Sequence, residues 1–208
     1  MSSIRLVYVV VICAAVGVAP TSAQTTPDVA TLTHVEGAVY LDDHLVAAPL
    51  GAVVLGDSAT IRTAGGRAVV ALKRGGVLAL NEQTLVRVLA NGIYNFNRVE
   101  VLEGTAVVIS GASAPLVSCR SDARLSSAGV FRFDVQPTRT GALATCRFRV
   151  YDGAAAVSLA SVTSALRSGQ AMTLDPICGD MVPTMTFALD QMDDFDRWSR
   201  QQATAGLR

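Results

Sequence analysis

The strongest constraint on this chain is a phrase it repeats three times. Val35-Glu36-Gly37-Ala38-Val39-Tyr40-Leu41 recurs as Val101 to Ile109 (V-L-E-G-T-A-V-V-I) and as Val150 to Leu159 (V-Y-D-G-A-A-A-V-S-L). Each copy sets an acidic residue before a Gly and follows it with an apolar run rich in β-formers. The acid and the Gly turn the chain sharply, because Gly accepts backbone angles closed to other residues. The run that follows enters a strand. Three copies on Gly37, Gly104 and Gly153 predict an iterated architecture, and they name no chemistry.

Between the copies the text is short apolar runs cut by turn residues every 8–12 positions, the pattern of an all-β domain. Gly65-Gly66 turns the chain into Arg67 to Leu72, and Asn91-Gly92 is a hairpin signal. In the second half the alternation is clean. Phe131, Phe133 and Val135 share one face, with Arg132 and Asp134 on the other. Cys146, Phe148 and Val150 oppose Arg147, Arg149 and Tyr151. A period of two with charges on one side reads as a half-buried strand. On that reading Phe133→Asp unfolds the domain, and Arg132→Ser on a solvated face is nearly silent. The expected fold is repeated β-hairpins in a sandwich-like or solenoid-like body, with a short C-terminal helix.

The ends differ from the middle. Arg5, the apolar run Leu6 to Val18 and the small residues to Ala23 have the layout of a cleavable export signal, residues 1–23. Residues 24–29 read as a polar leader, 30–175 as the β-domain, and 176–208 as an irregular crossing followed by an amphipathic helix. Asp190 is the expected cap of that helix, which runs to about Gln202. Asp193, Asp194 and Asp196 fall early, as the helix dipole prefers. Leu189, Met192, Phe195 and Trp198 lie close to one face. That stripe either docks on the β-domain or makes Phe195 and Trp198 a partner-binding face.

Export places Cys119, Cys146 and Cys178 in an oxidising compartment, where three thiols allow three single pairings with one left over. Cys119 and Cys146 both lie in strand-like text, which favours that pair. Seventeen basic residues balance seventeen acidic ones with no basic block, so a nucleic-acid surface is not expected. The two histidines, His34 and His44, stand beside no G-x-S-x-G elbow, and the Gly pairs precede no Lys-Ser/Thr, so no hydrolase triad or phosphate loop is read. No metal, cofactor or catalytic residue is expected. The one candidate metal set is Asp42, Asp43 and His44, which reads more simply as a polar hairpin tip.

Taken in order, these runs resemble the FecR-like domain. The early V-x-G-x-V-x-L strand appears at Val35 to Leu41, L-x-x-G-D ends at Leu55-Gly56-Asp57, and the I-x-T-G-like step is Ile61 to Gly65. Later come Leu102 to Val108, Gly129 to Val135, Val150 to Leu159 and the closing Gly169-Gln170. The resemblance covers about residues 30–175 and implies a fold and a sensing, scaffolding or binding role, with no catalytic residues. The best-known members carry an anti-sigma segment and a membrane helix where this chain has an export signal. The expectation is therefore a non-enzymatic periplasmic or secreted module that meets an envelope protein or a polysaccharide. The alternatives are a small secreted metal-dependent hydrolase and a structural surface-layer unit.

Overall fold

The computed structural model describes residues 30–46, 51–73, 76–91, 96–111, 116–119, 122–136, 145–159, 161–175 and 180–206. Residues 1–29, read from the sequence as an export signal and a leader, lie outside them, as does Cys178. The chain forms strands β1 (Ala30–Glu36), β2 (Val39–Leu41), β3 (His44–Val46), β4 (Val53–Leu55), β5 (Ala59–Thr63), β6 (Arg67–Leu72), β7 (Gly76–Leu80), β8 (Thr84–Asn91) and β9 (Phe96–Ser110). It continues with β10 (Leu116–Ser118), β11 (Asp122–Leu125), β12 (Gly129–Gln136), β13 (Thr145–Asp152), β14 (Ala154–Leu159), β15 (Val162–Arg167), β16 (Gln170–Asp175) and β17 (Asp180–Thr186). Helix α1 (Asp194–Gly206) closes the chain. The protein is all-β with a short C-terminal helix.

The strands form two layers. The first runs β4–β1–β6–β7–β9–β12–β13–β16–β17, antiparallel throughout. The second runs β3–β2–β5–β8–β9–β10–β11–β14–β15, with β9–β10 its parallel pair. Strand β9 belongs to both. Its Phe96–Glu103 half pairs with β8, and its Gly104–Ser110 half pairs with β12. The layers close face to face over one core. Leu32, Val70, Leu78, Val108, Phe133 and Phe148 enter it from the first, and Val39, Ile61, Val86, Val99, Val157 and Leu166 from the second.

The repeated acid-Gly phrase is where the chain passes between layers. Gly37 carries β1 into β2, Gly104 carries β9 from the second layer to the first, and Gly153 carries β13 into β14. All three have positive φ, at 67°, 85° and 90°. Space is closed there as well as conformation. A Cβ on Gly37 would lie 2.4 Å from the Gly65 carbonyl oxygen, and one on Gly104 would lie 2.4 Å from that of Gln83. These crossings stand side by side as a ridge, knitted by Ala64 N–H to Ala38 O, Gln83 N–H to Ala64 O and Ser168 N–H to Gly153 O. The acids have separate duties. Glu36 accepts from the Trp198 indole, and Asp152 Oδ1 accepts from the Gly153 N–H.

A disulfide joins Cys119, after β10, to Cys146 on β13, with a Cα–Cα distance of 6.2 Å and both residues buried. It ties one layer to the other. Closing a loop with a sequence separation of 27 contributes about 3.5 kcal/mol through the unfolded chain.

Two sequence expectations change at the C-terminal end. The stretch read as an irregular crossing contains β17, an edge strand that tolerates Pro183 because an edge strand needs ladder bonds on one side alone. The helix is capped by Asp193, not Asp190, and runs to Gly206. Asp193 Oδ1 accepts from the Asp196 N–H at 2.9 Å, and Asp196 Oδ2 accepts from the Asp193 N–H at 3.2 Å. This reciprocal pair satisfies two amides at the helix start, as Ser/Thr and Glu do in a capping box. Asp190 also has an acid three residues on, but that acid, Asp193, is engaged with the Asp196 amide and so starts the helix later.

Candidate functional site

The two outer faces of the sandwich are different surfaces. On the first layer, Val69, Ala79, Val107, Arg132, Arg149 and Ala171 form one row across six strands by register. The apolar half of that row explains why Arg67–Leu72, Gly76–Leu80 and Thr105–Ile109 are apolar on both sides. α1 covers it. Phe195 is 2% exposed and packs with Ala79 and Val107, while Ala203 packs with Val69 and Val77. Trp198 is half-buried beside both groups and donates to Glu36 Oε1 at 3.0 Å. Phe195 and Trp198 therefore belong to an internal contact. The partner-face reading of these two residues is set aside, and the docking reading describes them. Leu189 and Met192 precede the helix and stay outside that contact.

The charged half of the row sits under the start of α1. Arg132 and Arg149 stand directly opposite each other on β12 and β13, a like-charge pair that would repel without intervening acids. Three aspartates supply them. Arg132 reaches Asp134 at 2.9 Å, Asp193 at 2.6 Å and Asp196 at 3.0 Å, and Arg149 reaches Asp134 at 3.1 Å. Tyr151 Oη donates to Asp196 Oδ2 at 2.8 Å.

Burial alone would lower the Arg132 pKa, but Asp134, Asp193 and Asp196 outweigh it and hold the guanidinium charged. Burial, then the Asp196 carboxylate, raises the Tyr151 phenol. Burial pushes the Asp193 carboxyl upward, and Arg132 with the Asp196 amide more than reverses that, leaving it below the usual range. Arg132 is thus 7% exposed and not on a solvated face. Alternation correctly turned it away from the core and could not show that a helix 60 residues later would cover it. This cluster fastens a helix, and its geometry is that of an anchor.

The second layer's outer face carries no covering element among the described residues. Tyr40 on β2 faces Arg62 on β5, whose guanidinium stands 4.2 Å over the ring, and Leu85 on β8 follows. The next rows bring Arg87 to Glu100, and Leu89 to Arg98, Leu116 and Arg124. Leu102, 40% exposed, shares the outward parity of Arg98 and Glu100 and lies at the register shift between Leu85 and Val86. Arg98 bridges Glu100 at 3.5 Å and Asp122 at 3.3 Å, and Arg87 bridges Glu100 at 3.6 Å. Such exposed pairs hold little energy, about 0–1 kcal/mol, and leave the groups free to exchange partners. Tyr and Arg are residue types that binding surfaces enrich, and the leucines add apolar area between them. This bare face is the candidate site.

The other candidates of the sequence fall elsewhere. Asp42 and Asp43 both have positive φ and form the β2–β3 turn. Asp42 Oδ1 accepts from the Thr60 N–H at 2.8 Å, and the His44 ring bonds the Asp42 carbonyl oxygen. The Asp42 and His44 side chains are thereby engaged, and among the described residues no group of three or more potential ligands is placed to hold a metal ion. Gly56 and Asp57 lie before and within the turn into β5. Gly169, with φ at 80°, and Gln170 close the β15–β16 crossing, where Gln170 Oε1 accepts from the Arg167 N–H at 2.8 Å. No helix of the described residues is long and apolar enough to cross a membrane.

No family model and no curated protein matches the chain. Two crystal structures of "a putative anti-sigma factor" from Parabacteroides distasonis ATCC 8503 share the fold, with TM-scores of 0.53 and 0.52 at 17% identity. The matches cover 64% and 62% of this chain and 61% and 60% of those chains, so the chain spans about three fifths of their length. At that identity the likeness is one of fold.

Proposed function

We propose that this chain is a FecR-like module of the cell envelope, exported by its first 23 residues and without catalytic activity. It senses or scaffolds by binding an envelope protein on the bare face of the second layer. One observation carries the reading. The sandwich has two outer faces, its own helix occupies one, and the other presents Tyr40, Arg62, Arg87, Arg98, Leu102 and Arg124 to solvent. The ordered glycine crossings and the fold shared with the anti-sigma factor structures support the family assignment.

The test is a cross-linked pull-down from intact cells with the natural chain and with an Arg62→Glu/Arg87→Glu/Arg124→Glu variant. A partner recovered by the first and depleted at least about tenfold with the second is the expected result. Equal recovery by both, with matching circular dichroism spectra, would sink the reading.

A further inference from the structure

The sandwich has four strand edges, and three are blunted. Strands β3 and β4 have three residues each. Strand β17 carries Pro183 and pairs with β16 through a register shift. Strand β15 is different. It has six residues in unbroken register with β14, no proline, and one charge, Arg167, at its end. Natural sheets seldom leave such an edge open without a use for it.

The direction of its backbone groups follows from two bonds. Ser168 N–H points back to Gly153 O beside β14, and Arg167 N–H points away and is taken by Gln170 Oε1. Because successive residues along a strand direct their N–H groups to opposite sides, Ser164 and Leu166 also serve β14. Thr163 and Ala165 face outward, and no strand among the described residues takes their donors and acceptors. Gln170 ends the free run.

The layer above sets the shape of what fits. The crossing at Ser168-Gly169 places β16 over β15, and β17 continues the first layer one strand further. Among the described residues the second layer ends at β15. The inner-facing side chains at this mouth are correspondingly open. Val162 is 59% exposed, although its parity is that of buried Leu166. A second copy of this chain is a poor occupant, since its own β17 would compete for the same space.

We propose that an extended segment of a second protein adds to β15 as an antiparallel strand beneath β17. This is strand addition at a sheet edge, with main-chain bonds giving affinity and alternate side chains giving selectivity. The segment bonds Thr163 and Ala165. Its inward side chains, opposite Val162 and Ser164, are apolar and complete the layer. An acidic residue opposite Arg167, near the segment's amino end, completes the charge. This edge is separate from the bare face, and the two proposals fail independently.

The probe is a phage-displayed library of random twelve-residue peptides, panned on the purified full chain. Enriched peptides should alternate apolar and polar residues with an acid towards the amino end, and bound peptide should slow hydrogen exchange at Thr163 and Ala165. Ala165→Pro removes an outward donor without touching the β14 ladder and should weaken binding by at least about tenfold. Should that variant melt early, Arg167→Glu serves instead and should remove the preference for an acid. No enrichment, equal binding by both variants, or unchanged exchange at those two amides would overturn the proposal.

Discussion

Arg132 and Arg87 are both outward-facing arginines on alternating strands, and they have opposite fates. Arg132 lies beneath α1 with three aspartates around it, whereas Arg87 stands in solvent opposite Glu100 at 3.6 Å. The difference is not in the strands that carry them. It lies in what the rest of the chain lays over each face. Outward from the core and outward to water are separate statements, and a period of two speaks to the first alone.

The comparison can be broken at several levels. The largest effect belongs to the core that both faces share. Phe133 is fully buried between the layers, 4.7 Å from the Phe148 ring, so Phe133→Asp should leave no folded population in a thermal melt. Arg132→Ser comes next. It removes the guanidinium that Asp134, Asp193 and Asp196 share, leaving Asp134 to Arg149 and Asp196 to the Tyr151 hydroxyl, and urea melts should show a loss of about 3 kcal/mol. A loss under about 0.5 kcal/mol would return Arg132 to the solvated class.

Acid should act on the covered face before it acts on the core. The folded pKa of Asp193 is depressed, so its stabilising contribution is complete above the unfolded value near about 4 and disappears as pH falls through the folded one. Glu36 is lowered in the same direction by its His34 hydrogen bond and then by the Trp198 indole. The fluorescence of Trp198, the one tryptophan of the chain, should report α1 loosening below about pH 4 while the β-signal in circular dichroism persists. Simultaneous loss of both signals would show that the helix and the sandwich are one cooperative unit. The smallest effect is Arg87→Ser, which should change stability by less than about 0.5 kcal/mol.

Much of the fold was legible because its punctuation is steric. Gly37, Gly104 and Gly153 are required by positive φ and by neighbouring backbone, and both requirements appear in the sequence as an acid-Gly phrase. Phe131, Phe133 and Phe148 were assigned to the core by parity. What parity could not supply was the partner of each outer face. The double-sided apolar runs Arg67–Leu72 and Thr105–Ile109 did hold that signal, because a strand apolar on both faces needs two covers. The cap at Asp193 was not legible from spacing, since Asp190 has Asp193 three residues on just as Asp193 has Asp196. The bare face was harder to find. Its arginines and leucines come from five separate strands, and only registers bring them into rows.

Strand β9 has a mechanical consequence. Because one continuous backbone runs through both layers and bends at Gly104, shear between the layers is carried there by covalent bonds rather than by side-chain friction. A pull that peels one layer from the other must first strip β9 from its neighbours. A tether attached to either face therefore transmits tension to the whole body.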